Sequence, residues 1–179
     1  MADSNITKRA LAASLKELME EKPFEKINVG DICEKCDMNR KSFYYHFKDK
    51  YDLVNWIFDT EFIMVAHTRD YDDVWELLRA MSIFFYDNRN FYRKALCIKG
   101  QNSFSDHFKE LISPVISNRI QSVSDETIMD FQVTFIADAV VIAIQKWLVE
   151  NSEIEPEEFV RQIKLSIKYI VIQYRDMEI

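Results

Sequence analysis

Two short helices separated by a tight turn are encoded near the N-terminus, and this feature constrains the fold more than any other. Asn28 is a preferred N-cap residue, so we expect a helix at Val29–Cys36; Asn39 likewise caps a second helix at Arg40–His46. Asp37 lies between them, and aspartate is one of the few residues besides glycine that tolerates a left-handed backbone. The pattern predicts a helix-turn-helix, whose second helix enters the DNA major groove.

The second helix carries side chains that suit DNA better than a protein core. Phe43 and Phe47 lie four residues apart, so both can anchor one face of the helix to the domain. Arg40 and Lys41 can donate to guanine O6 and N7, and Ser42 is an adaptable partner for base edges. These three residues are therefore the predicted readers of DNA sequence.

Aromatic side chains on the same helix point to contacts with the DNA backbone. Tyr44 and His46 can reach phosphate oxygens, which fix the register of a protein on DNA without reading its sequence. The alternative is an ordinary solvated amphipathic helix. Such a helix has no need of two exposed tyrosines, Tyr44 and Tyr45, beside two cations.

Charge is distributed unevenly along the chain. The net charge is −7, yet residues 1–50 contain ten Lys and Arg against nine Asp and Glu, so the excess acid lies in residues 51–179. Between positions 40 and 50 the one acid is Asp49, against Arg40, Lys41, Lys48 and Lys50. A local basic patch suffices for specific binding, and an acidic body reduces indiscriminate attraction to nucleic acid.

The sequence resembles the tetracycline-repressor (TetR) family of bacterial transcription regulators. The matching elements are an amphipathic first helix, the motif I-N-V-x-D-I at Ile27–Ile32, and the motif S-F-Y-Y-H-F-K-D-K-Y-D-L at Ser42–Leu53. The resemblance implies base-reading positions for Arg40, Lys41 and Ser42. It implies backbone-contacting or flanking positions for Tyr44, Tyr45, His46 and Lys50, and a phosphate-touching cap position for Asn28.

Two departures from the family pattern bear on the site. The usual Ala-Gly-Val turn is Cys36-Asp37-Met38 in this chain. Gly30 stands at the start of the first of the two helices, where a side chain of the family often contacts DNA. Base reading by that helix is therefore disfavoured, although a bare backbone can approach phosphate closely.

Composition and periodicity indicate an all-α protein. The 179 residues include two glycines and three prolines, far fewer than average, so turn formers are scarce. Nine helices are predicted, at Thr7–Glu21, Val29–Cys36, Arg40–His46, 51–66, Tyr71–Asp87, Asn90–Cys97, Ser103–Ser122, from Ser124 or Asp125 to Glu150, and Pro156–Met177. We expect a DNA-binding domain at residues 1–50 and a regulatory and dimerisation domain at residues 51–179.

The last two predicted helices have the character of a subunit interface. Their apolar stripes are wider than a monomer core needs, so two helices from each subunit would form a four-helix bundle. The candidate interface residues are Phe135, Asp138, Ile142, Ile163 and Ile167. A helix-turn-helix usually reads a two-fold site as a dimer, which favours a homodimer on a palindromic operator. The alternative is that both helices close the monomer core.

Aromatic residues of the second domain are candidates for sensing a signal. Trp56, Trp75 and Phe104 could line a cavity for a small-molecule effector, although aromatic stripes at helical spacing are often plain core. The second domain is short and contains L-L-R-A-M near Leu78, N-R-N-F-Y-R-K-A-L at Asn88–Leu96 and W-L at Trp147-Leu148. With these motifs it resembles a compact branch of the family, that of the activator of dihydroxyacetone-kinase operons. That resemblance implies a co-regulator protein in place of a small molecule, and it leaves repressor and activator both open. The alternative function is a protein-interaction module on the same scaffold, which responds to a partner protein rather than to a small molecule.

Other classes of function find little support in the sequence. Cys33 and Cys36 form a C-x2-C, but nothing completes a zinc site, so reduced buried cysteines are favoured over a metal or redox centre. No phosphate-binding glycine loop or hydrolase motif occurs, and we expect no cofactor and no enzymatic activity. There is neither an apolar leader nor a charge-free run of about 20 apolar residues, which predicts a cytoplasmic, nucleoid-associated protein without a membrane partner.

Overall fold

The computed structural model describes residues 2–69, 71, 73–100, 102–120, 126–150 and 153–175, and over these ranges the chain is all-α with nine helices. They are α1 (Ala2–Glu21), α2 (Val29–Lys35), α3 (Arg40–His46), α4 (Lys50–Phe58, continued by a π-helical turn at Asp59–Ile63 and a last turn at Met64–Ala66), α5 (Val74–Asp87), α6 (Arg89–Ala95), α7 (Phe104–Ile120), α8 (Glu126–Glu150) and α9 (Pro156–Arg175). A 3-10 turn at Phe24–Lys26 follows α1. The predicted fold class is confirmed.

Helix boundaries depart from the predicted ones by a few residues. The first helix begins earlier than predicted, at Ala2, and the fifth begins later, at Val74. The fifth starts there because the Asp73 carboxylate accepts hydrogen bonds from the backbone N–H groups of Trp75 and Glu76, each at 2.8 Å. The predicted boundaries at Ser122, at Ser124 or Asp125, and at Met177 lie outside the described residues.

The N-terminal helices pack around a small apolar core. Phe43 of α3 is fully buried among residues from α1, α2 and α4. The buried set includes Leu11, Leu15, Ile32, Phe43, Phe47, Leu53 and Ile57. Since α3 contributes Phe43 to this core, its orientation relative to α1 and α2 is fixed by packing.

Aromatic rings fill the centre of the second part. Phe58 of α4 stacks on Phe85 of α5 at a centroid distance of 5.6 Å and meets Phe104 and Phe108 of α7 edge-on. Edge-to-face and offset-stacked arrangements are the favourable ones for aromatic pairs. Because α4 also buries Leu53 and Ile57 in the N-terminal core, this one helix joins both parts of the protein.

Helix α4 is not regular throughout its length. Residues 59–63 form a π-helical turn, an irregularity that is frequent at functional positions in helices. At its start, Asp59 Oδ1 lies 2.8 Å from Nε2 of His107 on α7. The irregular turn therefore coincides with a polar contact between the connecting helix and the body.

The last two helices pack on different neighbours. Helix α8 lies along α7, and α9 lies along α5. Within α8, Met129–Glu150 is long and apolar enough to cross a membrane, judged by length and composition alone. Ala137, Ile144 and Trp147 of this stretch are buried against the rest of the protein. Several of its other apolar side chains remain exposed, and they form the surface described below.

Candidate DNA-binding surface

Helix α2 begins with a complete capping box. The Asn28 side-chain oxygen accepts from the Asp31 backbone N–H at 3.1 Å, and the Asp31 carboxylate accepts from the Asn28 backbone N–H at 3.0 Å. Lys22 also donates to Asp31 at 2.7 Å, and the pKa of Asp31 lies below its ordinary value for these reasons, the Lys22 hydrogen bond being the largest. Asn28 therefore has a local role in starting α2.

The turn between α2 and α3 depends on a left-handed residue. Asp37 has a φ of 54°, as its position in the sequence predicts. The next residue returns the chain at once, since the Met38 backbone N–H donates to the Cys33 carbonyl at 2.8 Å. Asn39 then caps α3, accepting from the Ser42 backbone N–H at 2.9 Å. The predicted helix-turn-helix geometry is confirmed.

Helix α3 presents one apolar face and one open face. Phe43 and Phe47 are buried, with ring centroids 5.7 Å apart. On the open side, Tyr44 is 59% exposed and Tyr45 is 82% exposed, although large aromatic side chains are usually more buried than this. Lys41 is exposed beside them. The open face thus offers cations and phenols to a partner.

The remaining residues of α3 are less free. Ser42 is half-buried, and its hydroxyl lies 3.3 Å from the Asn39 side-chain oxygen. His46 is half-buried, with its ring edge-on to Tyr45 at 4.8 Å. Arg40 is exposed, and its guanidinium folds back over α2 to lie against Gly30. Sequence reasoning did not anticipate this contact between Gly30 and Arg40.

The expected DNA contact by Lys50 needs revision. Its ammonium group donates to the backbone carbonyls of Phe24 and Ile27, each at 2.7 Å, and lies 4.2 Å from the centroid of the Phe24 ring. Burial lowers the pKa of this lysine. Lys50 thereby fastens α4 to the turn before α2. By contrast, Lys48 is exposed just before α4, with its backbone N–H donating to Asp52 at 2.9 Å.

The two nearby cysteines are free thiols with different surroundings. Cys33 is 2% exposed, and burial raises the pKa of its thiol. Cys36 is half-buried, and its thiol donates to the Ile32 carbonyl at 3.3 Å. The burial of Cys33 and the backbone hydrogen bond of Cys36 are what we expect of cysteines that contribute to packing.

The three aromatic residues expected to sense a signal do not meet in one place. Phe104 is 1% exposed at the centre of the aromatic core. Trp56 packs edge-on against Phe47 of the N-terminal part, at 5.6 Å. Trp75 lies at the start of α5 with the Lys164 ammonium 5.2 Å above its ring. The three side chains therefore do not line one common pocket, and a contact with an effector or partner near any one of them stays a prediction.

Concave spaces do occur at the surface of the second part. One cleft, of about 490 Å³, lies between the start of α4 and α7 and is polar, with Asp52, Asn55 and His107 in its lining. Another, of about 350 Å³, lies between the end of α4 and α5; Phe62 and Arg79 are among its lining residues. Both are open to solvent. The second combines apolar walls with charged groups of both signs, the acids being Glu61, Glu76 and Asp87 and the bases Arg69 and Arg79.

Exposed apolar side chains lie along α8, and α9 carries another. Phe135 is 65% exposed, Ile142 51% and Ile167 47%. Phe131, which is 73% exposed, stacks on Phe135 at a centroid distance of 6.2 Å. Positions 135 and 142 are one heptad apart and so share a helix face. We call Phe131, Phe135, Ile142, Val149 and Ile167 the α8–α9 apolar face.

Two of the residues predicted at the subunit interface have partners within the chain. Asp138 lies 3.2 Å from the Lys109 ammonium of α7, and this hydrogen bond raises the pKa of Lys109. Ile163 is half-buried and packs against the monomer core. Both residues therefore contribute to the fold of the single chain, and the exposed positions are better candidates for contact with a second subunit.

Comparison with known proteins agrees with this architecture. Residues 11–57 match the family described as bacterial regulatory proteins, tetR family, and residues 72–169 match a transcriptional regulator C-terminal region. The HTH-type dhaKLM operon transcriptional activator DhaS of Lactococcus lactis subsp. lactis is 27% identical over 139 residues, which are 76% of this chain and 74% of that protein.

Solved structures share the fold. The dihydroxyacetone kinase operon activator DhaS superposes with a TM-score of 0.60 at 19% identity, covering 97% of this chain and 99% of that one. A TetR transcriptional regulator from Streptococcus agalactiae superposes with a TM-score of 0.70 at 19% identity, covering 90% and 93% of the two chains. At this level of sequence identity, structural similarity shows a shared fold and nothing more.

Proposed function

This chain belongs to the tetR family of bacterial regulatory proteins and is a transcriptional regulator, and from that premise we propose that it binds a pseudo-palindromic DNA operator as a homodimer through the open face of α3. Residues 1–50 form the DNA-binding domain in this proposal, and residues 51–179 form the regulatory and dimerisation domain. Such a protein acts in the cytoplasm, where the bacterial chromosome lies.

The observation that carries the proposal is the two-sided character of α3. Phe43 is fixed in the core, so the helix cannot turn its other face inward. That other face exposes Lys41, Tyr44 and Tyr45. An ammonium group can donate to guanine O6 or N7, and phenols can donate to phosphate oxygens. The open face therefore combines a base reader with groups that set the register.

Neighbouring residues extend this surface. Arg40 supplies a second cation at the start of α3, and the exposed Lys48 supplies one beyond its end. His46 and Ser42 are half-buried, which favours contacts at the edge of the interface over base reading. Asn28 lies at the capped end of α2, where its exposed side chain can approach the DNA backbone. Lys50 supports the surface from within.

The second subunit in this proposal covers the α8–α9 apolar face. Exposure of Phe131 and Phe135 to water would be unfavourable in a monomer, and apolar patches of this kind normally contact a partner. Packing α8 and α9 against their copies would make a four-helix bundle with a two-fold axis. A two-fold protein matches a two-fold operator, with recognition helices about 34–36 Å apart or a multiple of that distance.

Signals reach the DNA-binding domain through contacts with α1 and α4. Lys94 of α6 donates to the backbone carbonyls of Met19 and Glu20 at the end of α1. Lys16 of α1 pairs with Glu61 in the π-helical turn of α4, at 2.6 Å. A shift of α6 or α4 would move α1 and change the spacing of the two α3 helices. An effector can cause this only by binding one arrangement better than the other.

A small molecule and a partner protein are both compatible with this coupling. The cleft between α4 and α5 joins the apolar Phe62 and Phe84 to charged groups such as Arg79, which suits a small molecule with an apolar body and a polar group. A co-regulator protein is favoured by a different observation: Met64 and Val65 at the end of α4 are exposed beside that cleft. In either case the contact lies on the second domain.

Operator binding is tested by fluorescence anisotropy of the purified protein on fragments of the DNA upstream of its own gene. We expect one fragment to bind tightly in the presence of unrelated competitor DNA. Lys41→Ala should weaken binding to that fragment by roughly 1–3 kcal/mol, the worth of a good base contact. Glu34→Ala, an exposed change on α2, serves as the control. Equal affinity of the wild-type protein for all fragments would contradict the proposal.

The two kinds of signal are separated by adding candidates to the preformed complex with DNA. The substitution Arg79→Ala tests the cleft, and Met64→Ala tests the exposed end of α4. Loss of the response to a small molecule in the first variant alone would support an effector in the cleft. Loss of the response to a co-regulator in the second alone would support protein docking. If the response is unchanged in both variants, the sensing surface lies elsewhere.

A further inference from the structure

The side chain of Arg40 occupies the space that a side chain at position 30 would take. A Cβ atom built on Gly30 would lie 2.6 Å from Nη2 and 3.3 Å from Cζ of Arg40. Real Cβ atoms essentially never come as close to another heavy atom as the first of these distances. The guanidinium can lie across α2 in this way only because residue 30 has no side chain.

Arg40 and Gly30 belong to the two different helices of the helix-turn-helix. Arg40 is the first residue of α3, and Gly30 lies in the first turn of α2. Arg40 remains exposed although its end rests on α2. The guanidinium thus lies between the two helices, where its donors can reach another partner, since the group carries five N–H donors.

We propose that Gly30 is a positioning residue for operator recognition: by leaving room for the guanidinium, it directs Arg40 to one base pair of the operator. The inference rests on the proposed function, because it assigns Gly30 a part in the same DNA-binding surface. Gly30 touches no base itself and acts through Arg40.

The geometry makes this role separable from folding. The nearest atom that a new Cβ would displace, Nη2 of Arg40, is the far end of a flexible side chain, so the guanidinium can swing away without moving the backbone. Gly30 also lies in a helix with an ordinary negative φ, where alanine is a better helix former than glycine. Gly30→Ala should therefore remain folded while Arg40 takes up a different position.

One competing effect must be separated. The same Cβ would lie 2.8 Å from Oδ1 of Asn28, the atom that caps α2 by accepting from the Asp31 backbone N–H. Gly30→Ala could weaken DNA binding through this cap without involving Arg40. The two explanations differ in one respect: damage to the cap persists when Arg40 is absent, whereas displacement of Arg40 does not.

The experiment is a double-mutant cycle of Gly30→Ala and Arg40→Ala, read by anisotropy on the operator and on a set of its single base-pair variants. We expect each single change to weaken operator binding about 10- to 100-fold, the range for one good base contact. The double variant should bind no more weakly than Arg40→Ala. Both single variants should lose discrimination at the same base pair. Glu34→Ala should keep wild-type affinity and discrimination, and thermal unfolding should show all variants folded.

Three results would overturn the inference. Wild-type affinity of Gly30→Ala would show that Arg40 does not depend on the space at position 30. Additive losses in the double variant would assign the effect to the Asn28 cap. An unfolded Gly30→Ala that stays unfolded with Arg40→Ala would assign Gly30 to folding. In all three cases tight binding by the wild-type protein leaves the proposed function standing, whereas no specific binding by the wild-type protein overturns both.

Discussion

Replacing Phe135 by alanine should dissociate the dimer without unfolding the subunit. The side chain is 65% exposed in the single chain. Since a phenylalanine contributes on the order of 200 Å² of surface, about 130 Å² of it remains open. Covering that area at about 25 cal/mol per Å² is worth about 3 kcal/mol for each copy and about 6 kcal/mol for a two-fold pair. Allowing for the area that alanine still buries, we expect a loss of about 4 kcal/mol, or roughly a thousandfold in the dimer dissociation constant.

Sedimentation velocity over a range of protein concentrations measures this change. Met64→Ala is the matched control, because Met64 is 63% exposed and lies on α4, outside the α8–α9 apolar face. The Met64 variant should dimerise like the wild-type protein. Thermal unfolding of the Phe135→Ala monomer should remain cooperative. The reasoning is refuted if the two variants have the same dimer dissociation constant, or if the wild-type protein is monomeric at micromolar concentrations.

Three further changes test other parts of the structure. The buried Tyr92 hydroxyl has no hydrogen-bond partner among the described residues, so Tyr92→Phe should stabilise the protein by about 1 kcal/mol in urea unfolding; destabilisation would mean that the hydroxyl has a partner. Lys94→Met removes charged hydrogen bonds to the end of α1 and should cost about 1–3 kcal/mol, whereas Lys99→Met, an exposed control, should cost nothing measurable. The pKa of Asp31 should be below 3.8 by NMR titration, and Lys22→Met should raise it. The stabilisation from Asp31 is then complete above pH 3.8 and lost as the pH falls through its lowered pKa; an unchanged pKa in the variant would contradict this account.

Local signals were sufficient to predict the helix-turn-helix from the sequence. Asn28 and Asn39 cap helices at the predicted positions, and Asp37 takes the left-handed conformation that the tight turn requires. These features depend on a residue and its near neighbours in the chain. Phe43 and Phe47 were recognisable for the same reason, since their spacing of four residues sets a helix face.

Contacts between distant residues could not be predicted in this way. Lys50 and Arg40 are both cations in a basic patch, yet one turns inward to backbone carbonyls and the other folds over α2. The sequence carries the charge of a side chain but not the direction it takes. For the same reason Trp56, Trp75 and Phe104 were grouped by residue type, although packing separates them.

Apolar periodicity likewise indicates the apolar stripes of α8 and α9, but it does not distinguish positions in the monomer core from positions at an interface. Ile142 and Ile163 are equally apolar, but the first is exposed and the second packs on the monomer core. Asp138 is an acid on the predicted apolar stripe, and it is accommodated there because it pairs with Lys109, a residue on another helix. Assigning each position to core or interface requires the relative placement of α5, α7, α8 and α9.

The central claim is that a dimer of this protein reads an operator through the open face of α3. Its most direct test is a titration of the wild-type protein against the fragment upstream of its own gene, with affinity and stoichiometry measured together at several salt concentrations. We predict two subunits per site, an affinity that falls steeply as salt rises, and loss of specificity in Lys41→Ala with the dimer intact. Binding that is equally tight on unrelated DNA, or specific binding that survives Lys41→Ala and Arg40→Ala unchanged, would contradict the claim.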